Sequence, residues 1–403
     1  MKEAEFVERV DGAGGRAFIV GGWVRDRVMG VAPRDKDYLV TGVAECVFRA
    51  MFPDAFKVGG KFPVYLAEID GERREVAFAR SEAKSAGGHR GFDISFSPLT
   101  TVEEDLFRRD ATVNAMAVDL LTGELIDPYG GAGDIRDRVI RAVSGRFADD
   151  PVRALRAARQ AAQFGFRIEP DTVGMMRACR EELRGEPRER FIKELALALD
   201  CAKPSIFFTS LLDAGVLDVA FPQLYALAAA SEDIYARCME ALDKAADLTE
   251  MTGARFAALA NALCGQTARD GPALPSERHE RALSALMAWN ATSRLPRLWM
   301  KCALFAMRET TPAANYKSPE ETAGFLERLN HSPLGAEGFT AVMLSAGLRL
   351  PEFLKNHRVF RDAIASVKAS DAPPELKGAE VGEWLKARRA AAVSALLFRY
   401  QIK

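Results

Sequence analysis

The stretch FIVGGWVRDRVMGVAPRDKDYLVT, residues 18–41, decides how this chain is read. A strand-type apolar run over 17–20 enters a Gly21-Gly22 turn, and a short helical segment with Arg25 and Asp26 follows. A loop holding Gly30 and Pro33 then leads through Asp35 and Asp37 into a second apolar run, 38–40. On an extended chain residues two apart share a face, so the two carboxylates converge on one point. Like charges held that close repel unless a cation lies between them, and oxygen donors suit Mg²⁺. Gly-Gly at a strand end lets the backbone approach a phosphate, and the N–H groups of the helix start favour an anion. Alone, an Asp-x-Asp or a Gly-Gly reads as a turn. Their order between two strands able to pair reads as a site for metal-bound triphosphate.

The rest of the chain sets bounds on that reading. At 403 residues it is long enough for two to four domains. A hydrophobic content of 48% and a charged content of 28% describe an ordinary soluble protein. The formal net charge of −1 means that any nucleic-acid contact must use a local patch. Six cysteines (46, 179, 201, 238, 264, 302) form no CxxC pair and read as buried thiols of a reducing compartment. No apolar run is long enough to span a bilayer, and the acidic opening MKEAEFVERVDG does not read as a signal peptide. The expectation is a cytoplasmic protein without membrane contact.

Outward from the deciding stretch, residues 57–69 and 73–78 read as a hairpin around Asp70-Gly71, which puts Glu75 on a strand beside the aspartates. Residues 81–100, rich in Gly and Ser, read as a mobile loop. In LFRRDATVNAMAVD, 106–119, Arg109 and Asp110 lie beside an apolar helical face. Residues 123–143 read as a strand, a Pro-Tyr-Gly-Gly turn and a last strand. Residues 147–166, FADDPVRALRAARQAAQFGF, open a helix with Asp149 or Asp150 at its cap and Pro151 in its first turn. Asp150, Arg153, Arg156 and Arg159 recur every three residues and form one slowly rotating stripe. From spacing alone that stripe is either a solvated charged face or a reader of nucleotide bases. Beyond it the apolar spacing is helical to the end, with loops at 266–276 and 310–319.

Together these motifs closely resemble the polymerase β-like nucleotidyltransferases, in the branch of class II tRNA CCA-adding enzymes and bacterial poly(A) polymerases. The resemblance covers roughly residues 15–265, with specific motifs to about 195. It implies an α+β chain: a head with a small mixed sheet at 1–143, a helical neck at 144–200, a helical body at 201–270 and a helical tail at 271–403. Asp35 and Asp37 would be catalytic and hold two Mg²⁺ ions, with Glu75 as a third, supporting carboxylate. Gly21, Gly22, Arg25 and Asp26 would belong to the triphosphate site. The RRDxTxNA motif is matched at Arg108, Arg109, Asp110, Thr112, Asn114 and Ala115, and would bind the nucleotide sugar and triphosphate. At 189–199 the ERxxxE motif, here Glu189, Arg190 and Glu194, would be structural. The loop motif of enzymes that complete the terminal A is matched in part by His89, Arg90 and Asp93, with Gly87 where a basic residue is expected.

The family's EDxxR motif reads Asp149-Asp150-Pro151-Val152-Arg153 and would select the nucleotide. A carboxylate accepts from an exocyclic amine while an arginine donates to the neighbouring ring nitrogen. Cytosine and adenine share that pattern, whereas uracil and guanine invert it and would leave polar groups unpaired. Arg156 and Arg159 would position these groups or touch phosphate. In the body, Arg237, Asn261 and Ala262 stand where a metal-dependent HD phosphohydrolase has His, His and Asp, so a metal-free helical scaffold is expected. Dispersed cations of the tail such as Lys355, Arg358, Lys386, Arg388 and Arg389 read as a solvated surface or as contacts to the tRNA elbow and acceptor stem.

The expected reaction is template-free transfer from CTP and ATP to the tRNA 3′ end, releasing pyrophosphate. Three rivals stand beside it. A poly(A) polymerase shares these motifs, although FPVYL at 62–66 resembles the CCA-adding version better. A partial enzyme adding only CC or only A fits the incomplete loop motif. A catalytically silent RNA-binding protein on the same fold is opposed by retention of Asp35 and Asp37.

Overall fold

The computed structural model describes residues 1–33, 35–58, 64–84, 92–263, 275–316 and 318–401. Helix α1 (Glu3–Gly12) turns Phe6, Val7 and Val10 inward, the spacing of an amphipathic helix. Strand β1 (Arg16–Val20) ends at Gly21, whose φ of +72° turns the chain directly into helix α2 (Gly22–Val28). Strand β2 (Asp37–Thr41) returns antiparallel to β1, with Val20 opposite Asp37. After α3 (Glu45–Met51) and β3 (Phe56–Val58) comes the expected hairpin of β4 (Val64–Ile69) and β5 (Glu72–Phe78). Asp70 and Gly71 both take left-handed φ, 51° and 79°, as a two-residue hairpin turn requires. Strand β5 then lies parallel to β2, with Glu75 opposite Asp37.

A separate hairpin, β6 (Arg80–Lys84) and β7 (Phe92–Phe96), precedes helix α4 (Val102–Phe107). Strands β8 (Ala117–Asp119) and β9 (Leu125–Ile126) complete a seven-stranded mixed sheet of order β3-β4-β5-β2-β1-β8-β9. Alternation along the strands fills its two faces separately. On one, Phe6, Tyr38, Phe48, Phe52, Tyr65 and Phe78 pack with ring centroids 4.8–6.2 Å apart. On the other, Phe18, Val20, Leu39, Val102, Leu106 and Ala115 form a second core.

Next come α5 (Gly131–Asp137), β10 (Val139–Ile140), α6 (Arg153–Phe164), β11 (Arg167–Ile168), α7 (Pro170–Ala178), α8 (Arg180–Leu183) and α9 (Arg188–Leu199). The remaining helices are α10 (Ser205–Asp213), α11 (Leu217–Ala220), α12 (Pro222–Ala230), α13 (Glu232–Leu248), α14 (Thr252–Ala262), α15 (Pro275–Ser293), α16 (Arg297–Ala313), α17 (Pro319–Asn330), α18 (Gly335–Ser345), α19 (Glu352–Lys355), α20 (His357–Ser366) and α21 (Ala379–Gln401). The chain divides into two compact units, Met1–Glu194 with Ile206–Ala220, and Leu195–Ser205 with Phe221–Lys403. In the second unit, Phe305, Phe325, Phe339, Phe353 and Phe360 anchor the core. There the buried guanidinium of Arg255 donates to the carbonyls of Leu199, Cys201, Ala246 and Thr249, which satisfies main-chain oxygens left over at helix ends.

Several local expectations change. The Gly/Ser-rich stretch 81–100 is partly paired strand, β6 with β7, although its residues 85–91 lie outside the described residues. The turn read after Tyr129 continues into α5, since Asp127 accepts from the N–H groups of Gly131 and Ala132 and caps the helix. Helix α6 starts at Arg153 rather than in the Asp149–Pro151 turn; of the two candidate caps it is Asp150 whose carboxylate accepts from a main-chain N–H, that of Val152. Helix α16 runs through Thr310 and Pro312 where a loop was expected, because Thr310 is fully buried and bonds back to the Ala306 carbonyl. Of the loop at 266–276, Pro275 and Ser276 belong to α15 and the remainder lies outside the described residues. Cys46 is exposed, whereas Cys179, Cys201, Cys238 and Cys302 are buried. Among the described residues no helix is long and apolar enough to cross a membrane.

Gly131 tests the packing of α5. A Cβ there would lie 2.3 Å from the Thr112 carbonyl oxygen and 3.0 Å from Met116 Cγ. Gly131→Ala should therefore destabilise the protein by about 1–3 kcal/mol, measured by denaturant unfolding against Gly133→Ala, where a Cβ meets nothing within 4 Å.

Candidate active site

The pairing of β1, β2 and β5 brings the first candidate groups together. Register partners project to the same face, so Asp37, at the start of β2, and Glu75, midway along β5, stand side by side next to the point where β1 turns at Gly21. Asp37 is solvent-exposed, yet its carboxyl is raised above the usual carboxylate range. Partial enclosure is the first cause and the charge of Glu75 the second; Asp35 adds to them, while Arg109 and Arg74 oppose. Burial and the two neighbouring carboxylates thus outweigh the two arginines at Asp37. Among the described residues no group of three or more His, Cys, Asp or Glu gathers as a self-sufficient metal cage. One or two carboxylates completed by substrate phosphate oxygens is the usual protein share of a Mg²⁺ site. The donor set here fits that ion.

An anion would find its place beside them. Arg109 approaches Gly21 so closely that a Cβ there would lie 3.0 Å from Nη1. Its Nη1 donates to the Asn114 carbonyl at 3.1 Å and its Nη2 to Asp105 at 3.2 Å, while the buried Nε has no partner. Asp105, fully buried, also takes two bonds from Arg108; burial alone would raise its carboxyl, but Arg108 and Arg109 hold it below the ordinary value. Arg25 is equally fixed. It donates to Asp26 at 2.9 and 2.6 Å and to Asn114 Oδ1 at 2.7 Å, and its guanidinium lies 4.6 Å from the centroid of the Phe164 ring.

Asn114 carries this network onward, since its amide donates to Asp110 at 3.3 Å. Asp110 is buried and accepts from the Ala111 N–H, from Arg156 at 2.8 Å and from Gln160 at 3.0 Å. Burial would push its carboxyl up; the charge and hydrogen bond of Arg156, the Asn114 amide and the charge of Arg153 outweigh that and hold it at about 2. Arg159 donates to Glu194 at 2.8 Å and Gln163 at 2.5 Å, and Glu194 also lies 3.7 Å from Arg156. The charged stripe of α6 is therefore an anchored face and not a solvated one.

The two expected base readers have other partners. Asp150 forms a bidentate pair with Arg190 at 2.9 and 2.7 Å, and Glu186 holds Arg190 in turn at 2.7 Å. Arg153 donates to the main-chain carbonyls of Arg146 and Arg108 at 2.8 and 2.6 Å. Sequence reasoning missed Asp105, Gln160 and Phe164, and gave Arg190 and Glu194 a packing role only. The i, i+4 spacing of Arg190 and Glu194 along α9, with Glu186 four residues before Arg190, was the available signal for the last two. Of the partial loop motif, His89 and Arg90 lie outside the described residues, as do Phe62 and Pro63 of FPVYL.

Two pH-linked outcomes follow from these carboxylates. Asp110, depressed from 3.8 to about 2, contributes stability that is fully present above pH 3.8 and is lost as pH falls toward 2. The loss amounts to about 2 kcal/mol, so acid unfolding followed by circular dichroism should be steeper in the wild type than in Asp110→Asn. Asp37 has the opposite sign: its raised value costs stability once it ionises. Asp37→Asn should raise the melting temperature of metal-free protein at neutral pH, and added Mg²⁺ should stabilise the wild type more than the variant.

The chain is similar in sequence and in fold to known proteins. The family described as "Poly A polymerase head domain" matches residues 17–141, and "Probable RNA and SrmB- binding site of polymerase A" matches residues 165–227. The "Multifunctional CCA protein" of Methylococcus capsulatus is 40% identical over 309 residues, 73% of this chain and 71% of that protein. That of Xanthomonas oryzae pv. oryzae is 45% identical over 218 residues, 53% of this chain and 52% of its own length, so the chain matches about half of that relative. Among solved structures, the Bacillus stearothermophilus CCA-adding enzyme in complex with CTP aligns over 97% of this chain and 92% of its own, at 25% identity and a TM-score of 0.66. An apo CCA-adding enzyme at 21% identity, covering 98% of this chain and 94% of its own with a TM-score of 0.69, shares the fold. With a relative at this identity aligned over most of both chains, and with the α+β architecture in common, the chain belongs to the class II tRNA nucleotidyltransferase and bacterial poly(A) polymerase family of nucleotidyltransferases.

Proposed function

We propose that this protein adds C, C and A to the 3′ end of tRNA from CTP and ATP without a nucleic-acid template. The observation that carries the reading is the pairing of Asp37 with Glu75, within the field of Asp35, beside a side-chain-free turn at Gly21 and the unpartnered Nε of Arg109. Anionic ligands for a cation and donors for an anion then stand side by side, as a metal nucleoside triphosphate requires. The relatives named CCA protein and the similar CTP-bound structure support the substrate class.

In this reading the primer 3′-oxygen bonds to the nucleotide α-phosphorus, the bond from that phosphorus to the bridging oxygen breaks, and pyrophosphate leaves. Asp35 and Asp37 would hold two Mg²⁺ ions, which lower the pKa of the attacking hydroxyl and offset charge on the leaving group. Glu75 would be a third, supporting carboxylate of that site. Gly21 and Gly22 let the triphosphate approach the backbone, with Arg25, steadied by Asp26, and Arg109 against its charge. Asp110 and Asn114 place those arginines and the sugar region. Asp150 and Arg153 read the base edge, for which Arg153 keeps N–H groups beyond the two it gives to main-chain carbonyls. Arg156 and Arg159 keep that helix in register. The head, neck, body and tail at 1–143, 144–200, 201–270 and 271–403 form part of the same proposal, with the cations of the tail toward the RNA. Duplex RNA would be met by shape and backbone, in the cytoplasm where tRNA is processed.

Incorporation on tRNA transcripts ending at the discriminator base, at C and at CC, sized at single-nucleotide resolution, tests this. Products should stop at CCA on all three. A stop at CC, a single A on the CC-ended transcript alone, or long A tails would each replace the reading with the corresponding partial enzyme or poly(A) polymerase. Asp35→Ala and Asp37→Ala should each abolish incorporation and leave tRNA binding intact; persistence of incorporation in both would refute the metal assignment.

A further inference from the structure

Between the two aspartates stands a residue that takes no part in the site described above. Successive side chains on an extended chain take opposite faces, and Lys36 reaches helix α1, where its ammonium lies 2.8 Å from Glu3 Oε1. It also lies 5.4 Å from the centroid of the Trp23 ring on α2. The same Glu3 oxygen accepts from the hydroxyl of Tyr38, a buried residue of β2 whose ring packs edge-on against Phe6 at 5.5 Å. The main-chain N–H of Glu3 is in turn 3.4 Å from Asp70 Oδ1, in the β4–β5 turn. Lys36 and Glu3 are only 24% and 26% exposed, so this pair is more constrained than the solvated ion pairs that contribute little.

One ammonium therefore joins three elements: the chain entering β2, which carries Asp35 and Asp37; α1, through Glu3; and α2, through Trp23. Helix α2 is the element that opens at Gly21-Gly22 and carries Arg25. We propose that Lys36, held by Glu3, is a positioning residue that sets the two aspartates against the Gly21-Gly22 turn, an inference that rests on the metal-nucleotide reading of that site.

The sign of its effect separates position from charge. A cation near a carboxylate pair opposes a divalent ion, so if Lys36 acted through its charge alone, Lys36→Met would tighten metal binding. Acting through position, the same change frees the carboxylates and weakens metal binding by about tenfold, as removal of groups that orient metal ligands does.

The experiment titrates the full chain with Mn²⁺ alone and follows the free ion by electron paramagnetic resonance. Lys36→Met is expected to bind Mn²⁺ about tenfold more weakly, and Lys36→Arg to retain wild-type binding. Glu3→Gln, nearly isosteric, should weaken binding in the same direction and serves if Lys36→Met does not fold. The double variant should be no worse than the weaker single one, since both act through one contact. With tRNA, kcat should fall in Lys36→Met while the KM for CTP holds. Mn²⁺ binding by Lys36→Met as tight as the wild type or tighter, or a wild type that binds no Mn²⁺, overturns the inference. A wild type that binds Mn²⁺, is weakened by Lys36→Met and yet extends no tRNA overturns the transferase reading and leaves the positioning role standing.

Discussion

A carboxylate shut away from water must be met by cations or donors, or it cannot stay ionised. Asp110 is that carboxylate, and satisfying it takes groups from separate parts of the chain: Asn114 from its own motif, and Arg156 and Gln160 from α6. Removing a partner from such a buried pair is far more costly than the net worth of the pair. The RRDxTxNA stretch and the helix after it are therefore locked in one arrangement. Asn114 extends the lock to Arg25 on α2, and Arg156 with Arg159 extends it to Glu194 on α9.

That arrangement divides the charged groups of the first unit into two kinds. Asp105, Asp110, Asp150 and Glu194 are carboxylates with arginine partners at hydrogen-bond distance. Asp37 has its ionisation disfavoured, because burial and the charges of Glu75 and Asp35 outweigh those of Arg109 and Arg74. The contrast is what the proposed metal site rests on: these acids are paired within the protein, whereas ionisation of Asp37 is disfavoured. Arg109 is the complement, a cation with one buried N–H unpartnered beside a turn without a side chain.

The second unit's phenylalanine-rich core holds helices together, and its buried carboxylate, Glu309, is met by Arg308, Arg328 and the Tyr316 hydroxyl. The buried guanidinium of Arg255 serves main-chain carbonyls, which is a structural use of charge.

Much of the head was legible in sequence because its signals are local. The Gly21-Gly22 turn, the i, i+2 spacing of Asp35 and Asp37 and the Asp70-Gly71 hairpin each depend on residues adjacent in the chain. What sequence alone could not supply is pairing at long range. The register that sets Glu75 beside Asp37, and the assignment of Asp150 to Arg190 and of Arg156 to Asp110, join residues dozens of positions apart. By itself the sequence determined the local turns and the family to which the chain belongs, and it named candidates for a metal and a triphosphate site. Only the tertiary structure decided which charges are already spent on one another, because an ion pair is set by distance and burial in the folded chain, and neither is encoded in spacing along it.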